Sequence, residues 1–572
     1  MQLHIACRIY FLVEELMIRI TELTFPVSCR GKDFEDALRQ KLGISALHPM
    51  TYTIVRRSVD ARVHRGSARQ KGPAQPHFVY TVDVDCAKEE KVVKRAVKNR
   101  LHAQIIQVPA PYQLPDIRKK PDLPPVVVGM GPAGLFCALA LAKKGLCPIV
   151  IERGQPVEQR RLDTKTFFTS QILDPESNVQ FGEGGAGAFS DGKVNTLIKD
   201  PSHAGHMVME EFVKAGAPEE ILYDAKPHIG TDRLQTAVKA IRQQIESLGG
   251  TIRFSTRLDD LVVTGGRVSG IVVTHQGKQE TVDTDALFLA IGHSARDTFS
   301  MLVSRHVYME EKSFAIGVRI EHPRQMIDRD QYKDFAGSPY LGAASYKLAY
   351  HTSFGRSLYT FCMCPGGYVI ASASEPDSVV TNGMSNYARD AENSNSALLV
   401  GITPEDYASY RKAGGVLSGC YFQRDLEQAA FRLGGSTYAA PIQTVGDLLA
   451  GKASTAASLG DVRPSFTGKV TPSDLTQILP DYVTRSLREG LPYFGTKIHG
   501  FDRPDAILTG VESRSSSPVR IVRDSLTGQA SILEGCPSGL YPMGEGAGYA
   551  GGITSAAIDG LKMAELYLKT LQ

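Results

Sequence analysis

The sequence predicts an α/β protein: a domain built on a parallel sheet, a mixed α/β domain inserted into it, and a βαββαβ module ahead of both. Three observations carry that reading. Residues 124–154 run as apolar strand, glycine turn, apolar helix, short strand and acid. Residues 17–108 switch between period-2 and period-3.6 patterns in the order βαββαβ. Far downstream, Gly539–Ile553 forms a glycine-rich turn that leads into one last helix.

A chain of 572 residues provides for about two to four domains. Its 42% apolar and 22% charged residues are ordinary for a soluble globular protein. No apolar run approaches the roughly 18 residues that a spanning helix needs, so no membrane insertion is expected. Nine cysteines without a CxxC read as reduced thiols in the cytoplasm. The opening MQLHIACRIYFLVEEL lacks a basic start and a small-residue cleavage site, and Arg8 breaks its apolar run. Residues 1–16 are therefore expected to be an extension, disordered or mis-started, because Met17 opens directly on a strand pattern.

In the module of residues 17–108, Ile18–Val27 reads as a strand and Asp33–Leu42 as a helix with Phe34, Leu38 and Leu42 on one face. Thr51–Arg62 and His77–Cys86 are alternating runs either side of a polar loop, Val63–Pro76. Glu89–Val97 is a second helix and Ala103–Val108 a last strand. This is the order of a ferredoxin-like domain. Residues 17–123 hold 20 Lys and Arg against 11 Asp and Glu, while the whole chain is only +3. A basic sheet of this kind binds RNA in some proteins, and Tyr52 and Tyr80 are the stacking candidates. The aromatic pattern of RNA-recognition strands is absent, however. The other reading is a solvated basic face that docks on the acidic remainder. Six prolines in residues 109–125 mark an extended linker.

The unit of residues 124–154 can be justified piece by piece. Val126–Val128 is a buried strand. Gly129 permits the tight turn out of it, Gly131 lets backbone approach a pyrophosphate, and Gly134 with Ala138 lets the helix lie close on the sheet. The helix N-terminus offers unpaired N–H groups to an anion. Glu152, 18 residues after Gly134, stands where a carboxylate meets ribose hydroxyls. A carboxylate there admits FAD or NAD and rejects the 2′-phosphate of NADP. Two further GxGxxG matches, at 182–187 and 546–551, lack the strand–helix–strand context.

A helix over Val157–Phe168 comes next, then the glycine-rich loop Phe181–Lys193. The loop exposes N–H groups to a flat ligand, and Lys193 is placed to neutralise charge. Thr231–Leu248 is a helix. Thr251–Phe254, Asp259–Thr264, Val268–Thr274 and Thr281–Val282 read as a β-meander. Asp285–Gly292 is a buried strand that returns to the first sheet and ends at a glycine. Residues 126–304 are thus the first part of the dinucleotide domain, 305–500 a substrate-side domain, and 501–572 the second part. Near the end, Glu545 can accept hydrogen bonds from hydroxyls. The helix start near Ile553 can stabilise negative charge.

GMGPAG with Glu152, the strand ALFLAIG and YPMGEGAGYAGGITSAAIDG together resemble the FAD domain of the glutathione-reductase-like superfamily. KPHIGTDRL, FGEGGAGAFSDGK, FCMCPGG, TNGMSNYARDAENSNSALL and VESRSSSPVRI resemble a family known as uncharacterised FAD-dependent dehydrogenases or NAD(P)/FAD-dependent oxidoreductases, in which a ferredoxin-like domain precedes the FAD domain. The resemblance implies bound FAD and a redox role without naming a substrate. The cofactor-binding residues it points to begin with Gly129, Gly131, Pro132, Ala133, Gly134, Glu152 and Arg153. Gly185, Ser190, Lys193 and Gly292 follow, then Arg514, Gly544, Glu545, Gly552 and Ile553. Lys193, Arg514 and the helix start after Gly552 are the candidates for tuning the ring.

Catalytic candidates are Cys362 and Cys364, which could relay electrons beside a flavin or simply pack a strand entry, and His228, His293 and His351 as proton carriers. No spacing of ligating residues points to a metal. Three function classes remain open: a reductase or dehydrogenase acting on a small molecule, an RNA-modifying flavoprotein gripping through the basic module, and a flavin-binding protein without turnover. No second dinucleotide unit is present, so NAD(P)H is expected to bind as a transient electron donor or not at all. The oligomeric state is not legible.

Overall fold

The computed structural model describes residues 16–61, 75–196, 198–530 and 536–572. The N-terminal extension, Leu16 apart, and most of the loop Val63–Pro76 lie outside the described residues. The chain divides into two compact units.

The first unit runs to Tyr112 and also takes in Leu222–Pro227 and Ser338–Leu341. Its elements are β1 (Leu16–Pro26), α1 (Lys32–Leu42), β2 (Met50–Asp60), β3 (His77–Cys86), α2 (Glu89–Lys98) and β4 (His102–Gln107). Acids in the first turn of α1, bases in its last turn and Gly43 in the left-handed conformation at its end explain where that helix starts and stops. The strands lie in the order β2-β3-β1-β4, and every neighbouring pair is antiparallel. Alternation along β1 and β3 sends Ile18, Ile20, Val82 and Val84 into one core with Phe34 and Leu38 of α1. The same alternation corrects the stacking expectation. Tyr80 is only 3% exposed and packs against Phe25 and Phe34, so its ring face is not free, while Tyr52 is half-buried and leans on Phe34. Arg57 forms an ion pair with Asp224 at 2.7 Å within this unit.

The second unit holds a five-stranded parallel sheet. Its strands are β5 (Val126–Val128), β6 (Ile149–Ile151), β7 (Thr251–Arg253), a later strand Leu287–Leu289 and the closing strand Leu540–Pro542. From one edge to the other the order is Leu540–Pro542, Leu287–Leu289, β5, β6, β7. Thr251–Arg253 therefore belongs to this sheet and not to the meander. It follows a long helix, Thr231–Ser247, and that crossover returns the chain parallel to β6. The meander itself has three strands, Thr256–Thr264, Arg267–His275 and Lys278–Asp283.

The helix after β5, α3 (Pro132–Lys143), is buried from Ala133 to Ala142, which accounts for its being apolar on every side. It crosses the final helix, Ile553–Lys569, so closely that a Cβ on Gly560 would stand 2.1 Å from the Ala133 carbonyl oxygen.

A seven-stranded sheet, with two two-stranded ribbons beside it, makes up the rest of the described sheet structure. Phe314–Pro323 lies at its centre between Asn393–Ile402 and Ile507–Glu512. Ser357–Cys364 lies outside Asn393–Ile402, and Ala440–Thr444 lies outside Ile507–Glu512. The helices Ser418–Leu433 and Asp481–Gly495 add Leu426, Ala430, Leu487 and Leu491 to its core.

Candidate functional site

Parallel strands place their carboxyl ends on one edge, and the turns leaving them meet there. Gly129 follows β5, Glu152 follows β6, Gly292 follows Leu287–Leu289, and Gly544 follows the closing strand. These four turns line one continuous cleft of about 410 Å³. Every residue expected to bind cofactor lies on this cleft except Gly134, which sits beneath it. A Cβ on Gly134 would fall 1.9 Å from the Gly129 carbonyl oxygen, so this position must be glycine for the turn and helix to fit. Gly129 itself has φ of +95° and would bring a Cβ within 2.3 Å of the Ala290 carbonyl oxygen.

Gly131 is a different case. A Cβ there meets only the Gly185 Cα, at 3.8 Å. Packing within the protein does not require glycine here, although the residue lines the cleft. Gly131→Ala is therefore expected to keep the wild-type denaturation midpoint and to bind flavin at least about tenfold more weakly, a difference of about 1.4 kcal/mol. Flavin fluorescence titration of the stripped protein reads this, and unchanged affinity would refute the assignment.

Glu152 is 5% exposed and already engaged. Its carboxylate accepts from the Met130 N–H at 2.8 Å and from the Gly154 and Gly182 N–H groups, each at 2.9 Å. An ionised carboxylate offers about four acceptor positions, so one remains for a hydroxyl. The same bonds tie the β5 turn to the glycine-rich loop.

That loop is organised from inside by Arg160, which sequence reasoning missed. Arg160 projects from the helix Val157–Ser170 and is fully buried. It donates to the carbonyls of Asn178 at 2.8 Å, Val179 at 2.9 Å, Gly182 at 3.3 Å, Glu183 at 2.7 Å and Gly185 at 2.9 Å. Burial pulls its guanidinium down to about 10, with Glu152 and Glu183 opposing, so it stays charged at neutral pH.

Two helices open on the cleft with no side-chain cap: α3 after Gly131, and the final helix after Gly552. At the second opening the Thr554 hydroxyl donates to the Val194 carbonyl at 2.6 Å, next to Lys193, and Lys193, Asn382, Cys362 and Glu512 all line the cleft. Lys193 stands 3.6 Å from Asp191 and reaches the Met363 carbonyl. Burial pushes the Asp191 carboxyl up, but Lys193 and Arg389 outweigh it and hold it at about 2. Arg319, fully buried, grips Glu512 with two bonds of 2.9 and 2.7 Å. Glu545 approaches the His293 Nδ1 at 3.4 Å, and the buried His293 Nε2 has no protein partner among the described residues.

The other candidates fall elsewhere. Cys364 is buried behind the cleft wall. His228 lies off the cleft, 3.2 Å from the Tyr387 carbonyl and stacked on that ring; burial and Arg389 press it down to about 4. His351 sits at the sheet edge with its Nδ1 3.0 Å from the Ser357 hydroxyl. Arg514 lines the cleft, but its bonds run to Glu427, Ser294 and Ser374 in the wall. Among the described residues, no cluster of His, Cys, Asp and Glu could hold a metal, and no helix is long and apolar enough to cross a membrane.

Comparison with known proteins adds the following. Residues 313–515 match a family described as FAD-dependent protein, C-terminal domain-like. An uncharacterized protein of Clostridium beijerinckii (strain ATCC 51743 / NCIMB 8052) is 45% identical over 554 residues, spanning 96% of this chain and 98% of that one. Among solved structures, L-amino acid deaminase from Proteus vulgaris is similar at 13% identity over 80% of this chain and 96% of its own, with a TM-score of 0.34. Glycine oxidase from Bacillus cereus ATCC 14579 is similar at 11% identity over 79% of this chain and 98% of its own, also with a TM-score of 0.34.

Proposed function

We propose that this chain, which belongs to the same family as the Clostridium beijerinckii protein and whose cofactor is FAD, is a reductase or dehydrogenase acting on a small molecule. The observation that carries this reading is the single cleft that runs from Glu152 past two uncapped helix N-termini to Lys193 and Glu512. With this reading go a glutathione-reductase-like FAD domain, a substrate-side domain on the seven-stranded sheet and a ferredoxin-like first unit.

The residues fit an elongated dinucleotide. Gly131 and Gly185 meet so closely that a Cβ on Gly185 would stand 3.0 Å from the Gly131 Cα, leaving two bare backbones at the mouth of α3. The N–H groups there would hold the pyrophosphate. Glu152 would take a ribose hydroxyl on its remaining acceptor position. Glu545 would accept from the hydroxyls of the ribityl chain. The mouth of the final helix and Lys193 supply positive potential where negative charge gathers on a reduced ring. When bound, FAD supplies hydride or paired-electron transfer. The protein's own part is to orient the ring, hold charge beside it and exclude water.

A nicotinamide donor would dock transiently. Purified protein is expected to be yellow, and anaerobic NADH or NADPH is expected to bleach its flavin within the time of catalytic turnover. A stably bound flavin that neither nicotinamide reduces would favour a binding protein without turnover. The burial of Tyr80 speaks against RNA stacking on the first unit.

A further inference from the structure

We propose that Cys362 and Cys364 are a redox-active dithiol that exchanges an electron pair with the bound FAD. The inference rests on the flavoenzyme reading above and extends it to a second redox centre.

The pair sits on the strand Ser357–Cys364 where its register against Asn393–Ile402 slips between Phe361 and Cys364. This is a β-bulge, and bulges re-aim side chains. Cys362 has φ of +43°, a left-handed conformation that a non-glycine residue adopts at a cost. The two thiols therefore have different surroundings. Cys362 lies on the cleft, at the end that holds Lys193, Asn382 and Glu512. Cys364 is fully buried behind it. The Cys364 thiol donates to the Cys362 carbonyl oxygen at 3.3 Å. A half-buried cysteine on the cleft with a buried cysteine two residues on is the arrangement of an attacking and a resolving thiol.

The charges support this division. The hydrogen bond from Cys364, aided by Arg319 and Lys193, outweighs burial and draws the Cys362 thiol down, while Cys364 is driven up. Arg319 is also 3.1 Å from the Cys362 carbonyl oxygen. A purely packing pair would not need a left-handed residue at Cys362.

In one direction, two electrons and two protons pass from fully reduced FAD to the Cys362–Cys364 disulfide. The S–S bond breaks, two thiols form and FAD is left oxidised. In the other direction the dithiol closes to a disulfide and FAD is reduced. A Cys-Met-Cys ring is short, and strained or accessible disulfides are the labile ones.

Anaerobic titration of the oxidised holoenzyme with dithionite tests the proposal. Wild type is expected to consume about four electron equivalents per FAD, two for the flavin and two for the disulfide, and so is Cys147→Ser. Cys362→Ser and Cys364→Ser are expected to consume about two while keeping their flavin. Independently, the peptide carrying both cysteines from diamide-treated wild type should be two hydrogens lighter and closed to alkylation. A flavin that bleaches with two equivalents in wild type, with both cysteines alkylated, overturns the dithiol and leaves the flavoenzyme reading standing. A protein that cannot bind FAD overturns that reading, and the exchange with it. If the variants fail to fold, the wild-type titration and peptide mass decide alone.

Discussion

Arg160→Met is expected to yield a protein that purifies without flavin and unfolds at least about 3 kcal/mol more readily. The side chain it removes satisfies five backbone carbonyls in residues 178–185. Methionine fills a similar volume and offers no donor. Each buried carbonyl left without a partner costs about 1–3 kcal/mol, so the loop will open to water instead of keeping its shape. Opening moves Gly182 and Gly185, and these are the residues that meet Glu152 and Gly131. Loss of the cofactor follows from that movement. Arg160→Lys separates charge from geometry. It keeps a cation but has three donors on a single nitrogen, too few and too bunched for five acceptors, so most of the loss should persist. Flavin content by absorbance and denaturant midpoints measure both effects. Full flavin content in Arg160→Met would show that the loop holds itself.

Glu427→Gln is expected to cost about 3–5 kcal/mol at neutral pH, nearly all of it in stability. Glu427 is fully buried between Arg296 and Arg514. Arg296 donates to it at 2.9 and 3.0 Å, and Arg514 at 2.9 and 2.7 Å. Arg296 also pairs with Glu375 at 2.5 Å, and Arg514 also holds Ser294 and Ser374. The variant can therefore fold, but with one buried positive charge too many. Burial alone would raise the Glu427 carboxyl; Arg296 and Arg514 outweigh it and hold the carboxyl far below the ordinary glutamate range. A group depressed in the folded state stabilises the protein above its unfolded value, about 4.3, and loses that contribution as pH falls through the folded one. The gap between wild type and variant should thus be widest at neutral pH and narrow in acid. Equal gaps at pH 7 and pH 3.5 in urea denaturation would refute the triad's role.

What could be read in advance was local. The turn at Gly129–Gly134 and the acid at Glu152 are readable because strand, turn and helix lie within one short stretch, each with its own stereochemical demand. Gly292 and Glu545 were readable as strand ends. Their return to the first sheet was expected from the buried strand ending at Gly292, but the order of the strands came only with the structure. Arg160 gave no signal, because its helix has no clean apolar stripe and nothing distinguishes it from its neighbour Arg161. The Glu427 triad joins residues 131 and 87 positions apart, which no local pattern encodes. Thr251–Arg253 was drawn to the meander by proximity in sequence, although the helix before it commits it to the parallel sheet. Tyr80 looked like a stacking residue because alternation names two faces without saying which is inside.

The closing strand and the final helix have a consequence for biosynthesis. Leu540–Pro542 forms one edge of the parallel sheet, and the last helix presses on α3 through Gly560. A nascent chain that has released β5 and α3 still lacks one wall of its own cleft. Cofactor capture must then wait until Ile553–Lys569 has been made, and a message truncated before that helix yields a chain that never colours.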